Sequence, residues 1–297
     1  MPITHFLLAL LVVIVWGLNF LFVKLGLEEI SPLLLCSLRF ILVSVPAVFF
    51  IKPPIGVPFR LVVWYGMVNF AMQFSFMFLG IYAGMPPGMA SIVMQVQIFF
   101  SLFFAMIFLG ERPTSWGTAG ALVSCTGIML IALSEKINSF WAFIFILAAA
   151  ASWGLGTLIT KKITNNTSYN MFSLVIWGSL VAVIPMFILS LIVEGQPRIL
   201  YMYHHVTWVA MSALLYTVYA STLVGYGVWN WLLSRYPVGF IVPFTLLVPI
   251  VGVLSSILVL GEPFEVWKLM AGLLVIGGLC INLLSTYVVS QRAVGTT

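Results

Sequence analysis

Apolar runs of about twenty residues follow one another along almost the whole chain, with short turn segments between them. An α-helix rises about 1.5 Å per residue, so each run can cross a hydrocarbon layer about 30 Å thick. A backbone exposed to lipid must satisfy its own hydrogen bonds, and the short alternating segments typical of a β-barrel are missing. The pattern predicts an all-α membrane protein.

Composition supports the same fold class and names one partner. Of the 297 residues, 63% are apolar and 6% are charged, which is too little charge to cover a water-facing surface. The net charge of +5 lies mostly at helix ends and not in a run that could grip nucleic acid. The lipid bilayer is therefore the predicted partner, and nucleic acid is not.

Turn signals divide the chain into ten predicted transmembrane helices. The clearest signals are Ser31-Pro32, Pro86-Pro87-Gly88 and Gly261-Glu262-Pro263. The predicted spans are 6–24, 33–51, 61–83, 87–109, 115–133, 140–160, 171–193, 208–233, 238–260 and 265–289.

Basic residues predict the orientation. With the N-terminus in the cytoplasm, seven basic residues lie on the cytoplasmic side against four outside, as the positive-inside rule favours. We therefore expect a multi-pass protein with cytoplasmic N- and C-termini. The cytoplasmic set is Lys52, Arg60, Arg112, Lys161, Lys162, Arg235 and Arg292, and the outer set is Lys24, Lys136, Arg198 and Lys268.

The chain also contains an internal repeat. The segment 16–24, which starts Trp-Gly-Leu and ends in Lys, is echoed at 153–161, an offset of 137 (153 minus 16). The segment 109–113, Leu-Gly-Glu-Arg-Pro, recurs at 260–263 as Leu-Gly-Glu-Pro, an offset of 151 (262 minus 111). Five helices per half is an odd number, so the halves enter the membrane from opposite sides, as in secondary transporters. We predict two inverted five-helix repeats, residues 1–136 and 137–297. A duplication kept only for packing is the alternative.

These motifs are similar to those of the EamA family of the drug/metabolite transporter superfamily. The likeness covers nearly the whole chain, and its details resemble family members that export cysteine and O-acetylserine. It implies a bacterial inner-membrane exporter of amino-acid metabolites, with a cavity lined by helices 1, 3, 4, 6, 8 and 9. The further segments that carry the likeness are 84–91 (Gly-Met-Pro-Pro-Gly-Met-Ala-Ser), 95–97 (Gln-Val-Gln), 224–227 (Val-Gly-Tyr-Gly) and 246–249 (Leu-Leu-Val-Pro).

Charged groups give few candidates for substrate binding. Asp is absent and all seven Glu residues fall at helix ends or in loops, so no carboxylate is predicted at mid-membrane. Proton coupling through Glu111 or Glu262 near the boundaries stays open, with turn capping as the alternative. Arg39 is the one basic residue placed well inside a span. It would attract a substrate carboxylate or, alternatively, clamp backbone carbonyls near the outer face.

Polar amides and aromatic rings supply the other candidates. Asn19, Asn69, Gln73 and Gln95 lie within predicted spans, where an unpaired amide is costly, so each should face the bundle interior; hydrogen bonds between helices are the alternative. Gln97 lies two positions from Gln95, and we expect only one of the two to face a cavity.

Trp16 and Trp153 are related by the repeat, and aromatic faces hold an ammonium group by cation–π attraction. Tyr226, Trp229 and Asn230 share one helical face and would add a wall. Such a site suits an amino-acid zwitterion.

The sequence thus predicts a secondary exporter of small amino-acid-type metabolites that works by alternating access. A passive channel for small polar or aromatic metabolites is the alternative. An enzyme is disfavoured, because His5, His204 and His205 form no metal-ligand set with acids and no nucleophile elbow or phosphate loop is present. No cofactor or metal is predicted, and no feature sets an oligomeric state.

Overall fold

The computed structural model describes most of the chain at the level of individual residues. The described residues are 2–109, 115–132, 140–166, 170–195, 205–235, 242–261, 263, 265–267, 269–278 and 280–281. They are helical or irregular throughout, and no β-strand occurs among them.

Ten helical segments are described, and each overlaps one of the predicted spans. Six are long and apolar enough to cross a membrane, namely α1, α3, α4, α6, α7 and α8, and three shorter apolar helices accompany them, α2, α9 and α10. The protein is therefore an all-helical membrane protein. The segments are α1 (Ile3–Leu27), α2 (Pro32–Val48), α3 (Phe59–Tyr82), α4 (87–109), α5 (Ser115–Ala132), α6 (Phe140–Asn166), α7 (171–194), α8 (208–235), α9 (242–260) and α10 (Leu269–Gly278).

Local sequence signals explain several helix ends. Proline begins α2 and α4, where its missing N–H leaves no hydrogen bond unmade. The Asn170 side chain accepts hydrogen bonds from the N–H groups of Phe172 and Ser173 and so caps α7. Gly261 adopts φ +66°, a left-handed conformation that suits glycine, and ends α9.

Four helices depart from α-helical geometry near the middle of the bundle. α3 is π-helical at Met67–Met72 and α8 at Tyr216–Tyr226, while α4 and α9 contain 3-10 turns at Met94–Val96 and Val242–Leu247. Adding the repeat offset of 151 to 67–72 and to 94–96 gives 218–223 and 245–247, which fall inside the segments of α8 and α9. Irregular backbone is tolerated at membrane depth only where protein or a cavity surrounds it, so these segments mark the centre of the bundle.

Among the described helices, the most extensive packing joins the first five helices to the last five. α2 packs on α7, α3 and α4 pack on α6, and α1 packs on α8 and α9. A Cβ atom at Gly17 would collide with Val251 of α9, and one at Gly154 would collide with Phe100 of α4. These two contacts correspond by the repeat offsets, since 154 minus 17 is 137 and 251 minus 100 is 151.

Two carboxylates tie the helices together at the end of the bundle where α1 ends. Glu194 accepts hydrogen bonds from Ser31 Oγ (2.7 Å) and Ser190 Oγ (2.6 Å), and from the N–H groups of Leu33 (2.7 Å) and Leu34 (3.1 Å) at the start of α2. We call the region formed by Glu29, Ser31, Glu194 and Thr207 the capped end.

The second carboxylate of the capped end, Glu29, follows α1 and caps a helix in the second part of the chain. Glu29 accepts from the N–H and hydroxyl of Thr207, at 2.7 and 2.6 Å, directly before α8. Each Glu therefore caps a helix from the other part of the chain, and both face a helix N-terminus, which favours negative charge.

Candidate functional site: a central cavity

A cavity with about 510 Å³ of space, its open mouth included, lies among the central helices. Its lining comes from α1, α3, α4, α6, α8 and α9, the six helices that the family resemblance implies. The lining residues are Trp16, Asn19, Phe20, Gln73, Phe74, Met77, Met94, Gln95, Gln97, Trp153, Ser221, Tyr226, Thr245 and Val248.

Three aromatic rings from three helices meet at one side of this cavity. The Trp16 ring lies 5.9 Å from that of Trp153 and 5.3 Å from that of Tyr226, and the latter two are 5.8 Å apart. The Trp16 indole N–H donates to the Ser221 carbonyl at 3.2 Å, which fixes its ring. The three rings form an aromatic part of the cavity lining, and an aromatic face attracts a cation such as an ammonium group.

Arg39 lies seven residues into α2, about 10 Å from the start of the helix, and is fully buried. Its Nε donates to Thr222 Oγ1 at 2.9 Å, and the two terminal nitrogens reach Ser221 Oγ at 3.3 Å and Asn19 Oδ1 at 3.5 Å. The guanidinium carbon also lies 4.1 Å from the centre of the Phe74 ring. These partners are all side chains, and no backbone carbonyl of the described residues accepts a hydrogen bond from Arg39.

The guanidinium sits immediately behind the cavity wall. Asn19, Ser221 and Phe74, which contact it, all line the cavity. No carboxylate of the described residues bonds to it. A buried charge surrounded by neutral oxygens keeps a strong attraction for an incoming anion.

The amide side chains divide between the cavity and the packed interior. Gln73 and Gln95 line the cavity, and so does Gln97, although only one of the last two was expected to. Side chains two positions apart point about 160° away from each other on an α-helix but only about 120° apart on a 3-10 helix. The turn at Met94–Val96 thus brings both amides to the cavity. Asn69 is buried against Gly156 of α6, outside the lining.

One other predicted site residue, Trp229, does not line the cavity. Trp229 is buried behind Trp16, with ring centres 5.2 Å apart, and packs with Ala9 and Val12 of α1. The side chain of Asn230 lies outside the described residues. Glu111 and Glu262, the candidates for proton coupling, lie outside them as well.

Several lining residues were missed at the sequence level because they resemble ordinary packing residues. Ser221 and Thr245 carry small hydroxyls, and Phe20, Phe74, Met77 and Val248 are apolar, as most of each span is. The internal repeat could have pointed to Thr245, because an offset of 151 relates it to Met94, the neighbour of Gln95. Within the described part of the chain, no three His, Cys, Asp or Glu residues come together as a metal site.

Comparison with known proteins agrees with this architecture. The profile of the EamA-like transporter family matches residues 4–133 and 140–284. A protein of Escherichia coli strain K12 named "Probable amino-acid metabolite efflux pump" is 39% identical over 93% of each chain. A protein of the same name from Salmonella typhimurium is 38% identical over 93% of each chain.

A solved crystal structure has the same fold, with a TM-score of 0.62 and 16% identity, and the match covers 95% of this chain and 98% of the other. The family and the helices together make the protein a multi-pass membrane transporter and not an enzyme, as the sequence predicted. The chain belongs to the EamA-like transporter family.

Proposed function

We propose that this protein is a secondary exporter of small amino-acid-type metabolites similar to cysteine and O-acetylserine. It works by alternating access, with ten transmembrane helices arranged as two inverted halves, residues 1–136 and 137–297. The observation that carries the proposal is the buried Arg39, which has only neutral partners and lies beside a cavity walled by aromatic rings.

The cavity region offers a partner for each of the two charges of an amino acid. The substrate carboxylate pairs with Arg39 after displacing the weak contacts to Asn19 and Ser221, at 3.5 and 3.3 Å. The ammonium group lies against the faces of Trp16, Trp153 and Tyr226. A substrate with both charges satisfies both partners, and a substrate with one charge does not.

The internal symmetry supports alternating access. The irregular segments and the Gly17 and Gly154 contacts recur at the repeat offsets, and the family profile matches the chain as two separate stretches. Cavity residues come from both halves, so rocking one half against the other exposes the cavity to each side in turn. The relatives named as amino-acid metabolite efflux pumps support the direction and cargo.

Flux measurements test the proposal. Inside-out vesicles or proteoliposomes are loaded with labelled cysteine or O-acetylserine, and exchange is followed against unlabelled substrate. We expect saturable counterflow that is lost in Trp16→Ala, Gln95→Ala and Trp153→Ala proteins of normal abundance. Flux that is linear in concentration, without counterflow, would identify a passive channel, and unchanged flux in the three variants would place the binding site elsewhere.

The proposed orientation places both termini in the cytoplasm of a bacterial cell, with the capped end facing outward. Fusion of a reporter that is active only in the cytoplasm to each terminus should give two active fusions. A silent C-terminal fusion would overturn this orientation and leave the transport proposal intact.

A further inference from the structure

Two buried polar atoms that line the cavity lack a hydrogen-bond partner in the described part of the chain. They are the side-chain oxygens (Oε1) of Gln73 and Gln95. Both glutamines are only 2% exposed. Native proteins rarely leave buried polar atoms unpaired, so such atoms around a cavity point to a ligand that pairs with them.

Backbone irregularity directs the two amides inward. Gln73 follows the π-helical segment of α3 directly, and Gln95 is the middle residue of the 3-10 turn of α4. The Gln95 amide nitrogen is tied only weakly to its own helix, with Nε2 at 3.5 Å from the Ser91 carbonyl. Its oxygen is therefore free to meet a group in the cavity.

The cavity lining carries no charge. Neutral polar side chains and apolar ones such as Phe20, Met77 and Val248 accompany the two amides, and no charged side chain of the described residues is part of the lining. A second ionic group on the substrate would be buried here without a counter-charge, which is strongly unfavourable. A purely alkyl side chain would fill the space but leave the amides unpaired.

We propose that Gln73 and Gln95 are specificity-determining residues that select substrates with an uncharged polar side chain able to hydrogen-bond to an amide. An amide both donates and accepts, so it recognises such a side chain and disfavours alkyl and ionic ones of equal size. The inference rests on the proposed function, because it takes the substrate backbone to be held by Arg39 and the aromatic rings.

Three amino acids of nearly equal size test the inference in proteoliposomes. Asparagine carries a neutral donor and acceptor, leucine an alkyl group and aspartate a second carboxylate. Competition with labelled cysteine exchange should rank asparagine well above leucine and aspartate. In Gln73→Leu and Gln95→Leu the asparagine-to-leucine preference should fall by about tenfold, because each variant loses a hydrogen bond to the asparagine side chain that leucine never makes.

Met72→Leu is the matched control, since Met72 precedes Gln73 on α3 but is exposed on the outside of the bundle and does not line the cavity, and its preference should equal that of the natural protein. Gln95→Met repeats the test with a less disruptive side chain, and elution as a single peak in detergent checks folding. An unchanged asparagine-to-leucine ratio in both Leu variants would overturn the inference while amino-acid exchange persists. Absence of exchange with any amino acid would instead contradict the proposed function.

Discussion

Polar groups at the capped end and in the central cavity differ in how fully they are hydrogen-bonded. At the capped end the Glu194 carboxylate accepts four hydrogen bonds, three of them from the start of α2, and Glu29 accepts two from Thr207 at the start of α8. In the cavity, Gln73 and Gln95 keep unpaired oxygens, and the Arg39 charge has only neutral partners. Polar groups with all their hydrogen bonds made hold helices together, and polar groups with unpaired atoms remain available to a ligand.

From this contrast, the largest expected effect is the loss of transport in the Arg39→Met variant. Loss of the carboxylate partner should reduce exchange by about a hundredfold, the value of a charged hydrogen-bonded contact of about 3 kcal/mol. Thermal stability in detergent should stay within about 1 kcal/mol, because relief of the buried charge offsets the lost contacts to Thr222 and Ser221.

Arg39→Lys is the matched control, since it retains the charge but not the planar fork. We expect it to keep part of the exchange activity. A large loss of stability in Arg39→Met would show that Arg39 serves the fold, as the capped-end residues do.

Glu194→Ala should lower the stability of the protein more than it lowers transport. It removes four hydrogen bonds and the cap of α2, so unfolding should become easier by about 2 kcal/mol, read as a lower melting temperature. Exchange per folded molecule should change less than stability does. The exposed Glu28 offers a matched control, and Glu28→Gln should leave the melting temperature unchanged.

Glu29→Gln should lower stability by a smaller amount, about 1 kcal/mol. It retains one acceptor oxygen for Thr207 but loses the charge at the N-terminus of α8. Melting curves of this variant and of Glu194→Ala in the same detergent give the comparison. A larger effect at Glu29 than at Glu194 would contradict the view that the number of bonds sets the strength of the cap.

Trp16→Phe should have the smallest effect. The ring face survives, but the 3.2 Å bond to the Ser221 carbonyl is lost, so we expect exchange to fall by only a few-fold. Trp16→Ala should fall much further, because it also removes the face that holds the ammonium group. Equal losses in the two variants would mean that the hydrogen bond, and not the ring face, is what matters.

The helices could be predicted from sequence because apolar runs and turn residues act locally. Pro32, Pro87 and Gly261 begin or end helices as predicted. The repeat and the polar amides also led to Trp16, Asn19, Gln73, Gln95, Trp153 and Tyr226, which line one cavity.

The rest depended on three-dimensional packing that spacing does not reveal. The π-helical and 3-10 segments depend on neighbouring helices, and the turn at Met94–Val96 is what brings both Gln95 and Gln97 to the cavity. Trp229 shares a helix with Tyr226 but packs on α1. The partners of Arg39, Ser221 and Thr222, lie on α8 more than 180 residues away in sequence.

The role of Arg39 is best measured by counterflow in proteoliposomes with cysteine and with its decarboxylated analogue cysteamine. We expect the natural protein to exchange cysteine saturably and cysteamine to compete poorly, because cysteamine has no carboxylate for Arg39. In Arg39→Met this discrimination should disappear together with activity. Equal competition by cysteine and cysteamine, or undiminished cysteine exchange in Arg39→Met, would contradict this role.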